Sequence, residues 1–138
     1  MREFVLFLKK SEKKCGRIVK KNVVECGIVI SFITGGVFMV KHIILWTLKD
    51  MSQEEKERVK SGIKEGLEGL QGKIPGLVDI KVHAGGRLET STVDLMLDST
   101  FDSPEALSGY ACHPAHVEVA DTKVRPFTAS RACLDFEL

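Results

Sequence analysis

His42 is flanked two residues to either side by Val40 and Ile44, so in an alternating segment its imidazole points into an apolar layer, where a polar group must find a partner. A second concentration of polar rings is the stretch Tyr110-Ala111-Cys112-His113-Pro114-Ala115-His116, a phenol and two imidazoles around a proline that interrupts a helix. Imidazole titrates near neutrality and a phenol can hydrogen-bond a carbonyl or enolate. A Tyr and a His on one wall with a second His opposite therefore suit proton transfer on a small organic substrate. The same residues also fit a quieter role. A His on an apolar face is commonly a core residue with its hydrogen bonds satisfied, His113 before Pro114 can cap the next helix, and Tyr110 can be core. His113 and His116, three apart, would make an incomplete metal site even with His42 or an acid, so neither a metal nor a cofactor is expected. Trp46 and His113 complete the set that could touch a substrate, Trp46 being chiefly a core residue, while His83 sits beside a glycine turn as a solvated edge.

These side chains need elements to hold them. From Val40 to Leu48 the chain alternates, with Val40, His42, Ile44, Trp46 and Leu48 on one face and Lys41, Ile43, Leu45 and Thr47 on the other, which is strand periodicity. Ser52-Gln53-Glu54-Glu55 has the form of a capping box, and Val59, Ile63, Leu67, Leu70 and Ile74 recur at helical spacing, predicting a helix from Ser52 to Gly72 that Pro75-Gly76 halts. Glu54, Glu55 and Glu57 favour its positive dipole end. Strands over Leu77 to Ala84 and Thr92 to Phe101 form a hairpin about Gly85-Gly86. Ser103-Pro104 starts a second helix running to Cys112, Pro114 restarts it with Val117, Ala120, Val124 and Phe127 on one face, and a last strand runs from Arg131 to the C-terminus.

Strand, helix, strand, strand, helix, strand is the split β-α-β-β-α-β plan of an α+β, ferredoxin-like fold: a four-stranded antiparallel sheet with helices on one face and the first and third strands central. The helix side is expected to carry His42, Ile44, Trp46, Val78, Ile80, Val82, Val93, Leu95, Leu97, Leu134 and Phe136. The open face is expected to carry Ile43, Leu45, Met96 and Cys133, rimmed by Lys41, Asp94, Asp98, Asp135 and Glu137. An apolar centre in a polar rim reads as an interface, and pairing it with its own copy gives a homodimeric, eight-stranded α/β barrel.

Two parts of the chain differ in charge. Residues 1–38 carry eight Lys or Arg against three Glu, and residues 39–138 carry twelve against sixteen acids, so a basic head precedes an acidic body. The body lacks the basic stripe that phosphate binding needs, which argues against nucleic acid as a partner, and no membrane association is expected for residues 39–138. The head pairs a Lys/Arg run with an apolar stretch from Val23 to Phe38, but that stretch contains Glu25, is short for a membrane span and precedes no small-residue cleavage site. Thr34-Gly35-Gly36-Val37 can be encoded by ACA-GGA-GGT-GTT, a purine tract of the kind bacterial ribosomes recognise. Met39 is therefore expected to be the true start, with residues 1–38 a leader outside the native fold and residues 39–138 the domain; a membrane or export segment, or a genuine N-terminal extension, is the alternative reading of the head. The four cysteines show no CxxC or other metal-ligand spacing, which fits reduced thiols in a cytoplasmic protein.

Val40-Lys41-His42-Ile43-Ile44-Leu45-Trp46, Ile74-Pro75-Gly76, Phe101-Asp102-Ser103, His113-Pro114-Ala115-His116-Val117 and Leu134-Asp135-Phe136, in this order, resemble the stress-responsive dimeric A/B barrel (Dabb) family across nearly all of residues 39–138. The resemblance implies the same fold and dimer. That family includes a plant polyketide cyclase, olivetolic acid cyclase, which uses a His and Tyr pair with a further His in its cavity. By resemblance, His116 matches the catalytic base, Tyr110 its partner and His42 the cavity His. The implied function is a cofactor-independent lyase, cyclase or isomerase acting on a small carbonyl compound. The alternative is a non-catalytic stress-responsive or ligand-binding protein, because fold membership does not specify a reaction.

Overall fold

A computed structural model describes residues 38–138, and the expectations for residues 1–37 lie outside the described residues. The elements are β1 (Val40–Leu48), α1 (Gln53–Glu68), β2 (Leu77–His83), β3 (Leu95–Phe101), α2 (Pro104–Cys112), α3 (Pro114–Val119), a π-helical turn (Ala120–Val124) and β4 (Thr128–Glu137). One antiparallel sheet has the order β2-β3-β1-β4, so the first and third strands are central as the ferredoxin-like plan requires. Among the described residues no helix is long and apolar enough to cross a membrane.

Local chemistry accounts for the boundaries. Ser52 accepts a hydrogen bond from the Glu55 amide at the start of α1, and Ser103 does the same for Ala106 at α2, each satisfying a helix N–H that would otherwise lack a partner. The helix α1 ends at Glu68, four residues before the expected Gly72, because Gly69 caps it and Gly72 turns at positive φ. Leu70 and Ile74 in the following turns still reach the core. The core joins Ile44, Trp46 and Leu48 of β1 to Ile63 and Leu67 of α1, Ile80 and Val82 of β2, and Leu95, Leu97 and Phe101 of β3.

Three expected placements are corrected. The β2–β3 register shifts between Leu77 and Asp79, so Leu77 is buried and Val78 is exposed; a bulge moves one residue of an alternating pattern to the other side. Strand β3 begins at Leu95, leaving Val93 before it and half-buried. The largest correction is in β4. Asp135 lies opposite His42 and Cys133 opposite Ile44, whereas Leu134 lies opposite Ile43 and Phe136 opposite Lys41. Residues paired across strands share a face. Cys133 and Asp135 are therefore on the helix side, and Leu134 (61% exposed) and Phe136 (43% exposed) join Ile43, Leu45 and Met96 on the open face. The expected open-face position of Cys133 is thus wrong by one step. No helix buries β4, so polar residues are tolerated on both its faces and alternation there does not identify the inside.

Gly76 turns the chain into β2 at φ 77°, and a Cβ there would stand 2.3 Å from the Ala106 Cβ and 2.8 Å from Asp102 Oδ1. Its substitution Gly76→Ala is expected to lower unfolding free energy by about 2–4 kcal/mol, combining left-handed strain with the clash, measurable by urea denaturation.

Candidate functional site

On the central strand β1, His42 is 9% exposed and its ring lies edge-on to two aromatic rings, Phe101 at 6.3 Å and Tyr110 at 6.2 Å between centroids. Its Nδ1 is 2.5 Å from Asp135 Oδ1 across the β1–β4 pairing. A carboxylate only accepts, so His42 carries its proton on Nδ1 in the neutral ring and leaves Nε2 with a lone pair. Burial lowers the His42 pKa from its ordinary 6.5, with Asp135 opposing and Arg131 reinforcing that shift.

Tyr110 stands in the last turn of α2 and is 1% exposed. The break that follows brings His116 back onto it. His113 adopts an extended conformation, Pro114 supplies the first residue of α3, and the His113 Nδ1 accepts from the Ala115 amide at 3.2 Å. One turn later His116 lies over Tyr110, with centroids 4.1 Å apart and planes tilted by 36°. Phe101 also packs against Tyr110, with centroids 5.0 Å apart. The structure thus joins Tyr110, His116 and His42 in one aromatic cluster, places His113 as a helix cap, and puts Trp46 in the hydrophobic core.

Two polar atoms in the cluster, the Tyr110 hydroxyl and the His116 Nδ1, are buried and have no protein hydrogen-bond partner among the described residues. Leaving such groups without partners costs about 1–3 kcal/mol each, so these two atoms are the unsatisfied polar groups of the cluster. Burial lowers the His116 pKa from 6.5 to about 4, with the nearby Ala111 backbone opposing that shift and the charges of Arg125, His42 and Arg131 reinforcing it. Burial raises the pKa of Tyr110. At neutral pH His116 is a neutral base and Tyr110 a proton-bearing donor.

Sequence alternation alone puts Asp135 on the rim of the open face; the β1–β4 register instead pairs it with His42 and brings it into this site. Cys133 stands beside it, 3.4 Å from its Oδ1 and 3.9 Å from His42 Nδ1. A separate open groove of about 360 Å³, between α1 and the π-helical turn, is lined by Arg58, Val59, Lys123 and Phe127 among others and shares no residue with the cluster.

The lowered pKa of His116 has a stability consequence. Between pH 6.5 and about 4 the unfolded chain protonates this ring while the folded protein resists doing so, so stability falls as pH falls through that window, by up to about 3 kcal/mol. Substituting His116→Gln is expected to flatten this part of the stability-versus-pH curve, with the smaller slope from His42 retained. Urea midpoints measured at several pH values in both proteins check it.

Residues 40–138 match the Stress responsive A/B Barrel Domain family. Stress-response A/B barrel domain-containing protein HS1 of Arabidopsis thaliana is 33% identical over 87 residues, covering 59% of this chain and 73% of that protein. A dimeric protein of unknown function with a ferredoxin-like fold from Bacteroides fragilis is 37% identical, covers 72% of this chain and 96% of its own, and superposes with a TM-score of 0.68. A hydroxynitrile lyase from Passiflora edulis has the same fold at 18% identity, with 75% of this chain and 95% of that one covered and a TM-score of 0.57. With the ferredoxin-like sheet and the matched residues in agreement, this chain belongs to the stress-responsive A/B barrel domain family.

Proposed function

We propose that residues 39–138 act as a homodimeric, cofactor-independent catalyst of proton transfer on a small carbonyl compound, with His116 as base, Tyr110 as hydrogen-bond donor and His42 holding a further polar group. The observation that carries this proposal is the pair of partnerless buried polar atoms, the Tyr110 hydroxyl and the His116 Nδ1, on rings 4.1 Å apart. The mechanism follows from their states. Neutral His116 removes a proton from the carbon next to a carbonyl, and the electron pair of that C–H bond moves towards the carbonyl oxygen. Tyr110, still protonated, donates a hydrogen bond to the developing enolate oxygen, which a desolvated donor stabilises strongly. The proton on His116 then returns to a different carbon of the enolate, completing an isomerisation; or passes to a group expelled from the β-carbon as the enolate collapses, completing a lyase step; or, when the enolate carbon forms a bond to a second carbonyl carbon of the same molecule, passes to the alkoxide left on that carbonyl's oxygen, completing an aldol closure. A lyase on the same fold, the Passiflora hydroxynitrile lyase, supports the architecture's capacity for such chemistry without specifying a substrate here.

A second role is favoured by one observation. Tyr110 is 1% exposed and tightly flanked by His116 and Phe101, a packing that suits a non-catalytic protein in which these rings pin the helix break. Solvent-deuterium exchange separates the two. The wild-type protein is expected to accelerate exchange of the acidic C–H of small 1,3-dicarbonyl compounds, followed by proton NMR. The His116→Gln variant is expected to lose about 10²–10⁴-fold of that rate and Tyr110→Phe about 10²-fold. Wild-type exchange no faster than in buffer would leave the non-catalytic role.

The dimer is proposed to form through the open sheet face, where Ile43, Leu45 and Met96 sit beside the exposed Leu134 and Phe136, with the Lys41–Asp98 ion pair on the same face. The dimeric state of the Bacteroides relative supports it. Replacing Leu134→Glu places a charge in that apolar centre and is expected to give a folded monomer in sedimentation equilibrium, where the wild type is a dimer.

A further inference from the structure

His42, Cys133 and Asp135 bring a ring nitrogen, a sulfur and a carboxylate oxygen within 4.8 Å of one another on the helix side of the sheet. Two of these residues come from alternate positions on β4 and the third from the adjoining strand, so the backbone ladder aims all three at one point. Both β4 residues are exposed, so an ion can reach them from solvent.

The separations are those of a metal site nearly formed. The Sγ of Cys133 lies 3.9 Å from His42 Nδ1 and 3.4 Å from Asp135 Oδ1, while Nδ1 and Oδ1 are 2.5 Å apart. Tetrahedral zinc, with bonds of about 2.0–2.3 Å, keeps its donors roughly 3.3–3.7 Å from one another. The two separations to sulfur are close to that range. The third is a hydrogen bond and must open by about 1 Å, which a rotamer change of the exposed Asp135 supplies without moving the sheet.

We propose that His42, Cys133 and Asp135 bind Zn²⁺ or a divalent cation of similar size and softness, leaving a fourth position open to water or to an oxygen of a small ligand. One nitrogen, one thiolate and one carboxylate suit such an ion and disfavour Mg²⁺ or Ca²⁺, which take oxygen donors. On binding, the His42 proton leaves Nδ1 for Nε2, the thiol proton of Cys133 passes to solvent, and the thiolate and carboxylate together balance the two positive charges. The Nε2–H of His42 then becomes a donor in place of an acceptor. Arg131 acts electrostatically on both Cys133 and His42, which favours an anionic ligand such as a carboxylate at the open position. The site shares His42 with the acid–base cluster, but its occupancy is read without turnover, so it can fail while the catalytic proposal stands, and the reverse.

The test uses the full chain, stripped of metal with a chelator and titrated with Co²⁺ and then with Zn²⁺. One equivalent of Co²⁺ per chain is expected, with a near-ultraviolet thiolate-to-cobalt band that Zn²⁺ abolishes by displacement. Because Cys133 is exposed, Cys133→Ser should fold normally by circular dichroism, yet lose the band and bind Zn²⁺ roughly 100-fold more weakly; Asp135→Asn should weaken binding about 10-fold. The proposal is overturned if neither ion binds. It is equally overturned if the cobalt band and the zinc affinity survive Cys133→Ser, which would place ligation at another of the chain's cysteines.

Discussion

The hydrogen bond from His42 to Asp135 ties the central strand to the edge of the sheet, and the protonation state of the His42 ring depends on it. An imidazole on the central strand β1, beside Phe101 and Tyr110, loses hydration, which lowers its tendency to hold a proton. Asp135 offsets that loss from across the strand and fixes which nitrogen carries the hydrogen. The register of β4 on β1 therefore decides the electronic state of a residue on the neighbouring strand.

A second constraint is the interruption at His113-Pro114. Pro114 lacks a backbone N–H and is accommodated as the first residue of α3, while His113 turns its own ring back to accept from Ala115. The chain then winds through a π-helical turn at Ala120–Val124, a rare form found mostly as single turns within or beside α-helices. Gly66 allows α1 to lie close to this region: a Cβ there would stand 2.8 Å from the Lys123 Cδ and 2.9 Å from the Val119 Cγ1. Together these features set His116 over Tyr110, with the tyrosine backed by Phe101.

The sheet thus has two chemically distinct sides. One is a hydrophobic core that grades, towards β4, into a polar corner of His42, Cys133 and Asp135. The other is an open surface with exposed apolar side chains, Leu134 and Phe136 among them. Shared architecture accounts for the scaffold, and any reaction belongs to the side chains mounted on it.

Strand β1, the capped start of α1, the break at Pro114 and the order of the elements were legible in the sequence because each rests on local chemistry: period-two alternation against a buried layer, a serine accepting an amide, a proline without a donor. His42, Tyr110 and His116 were identifiable for the same reason, as polar rings in apolar or helix-breaking settings. The faces of β4 were not legible. Alternation identifies the inside only when one face is buried, and both faces of Thr128–Glu137 are open beyond its first residue. Only pairing with β1 could decide that Asp135 meets His42 and that Cys133 joins them, because cross-strand register is set by long-range hydrogen bonding between residues about ninety positions apart.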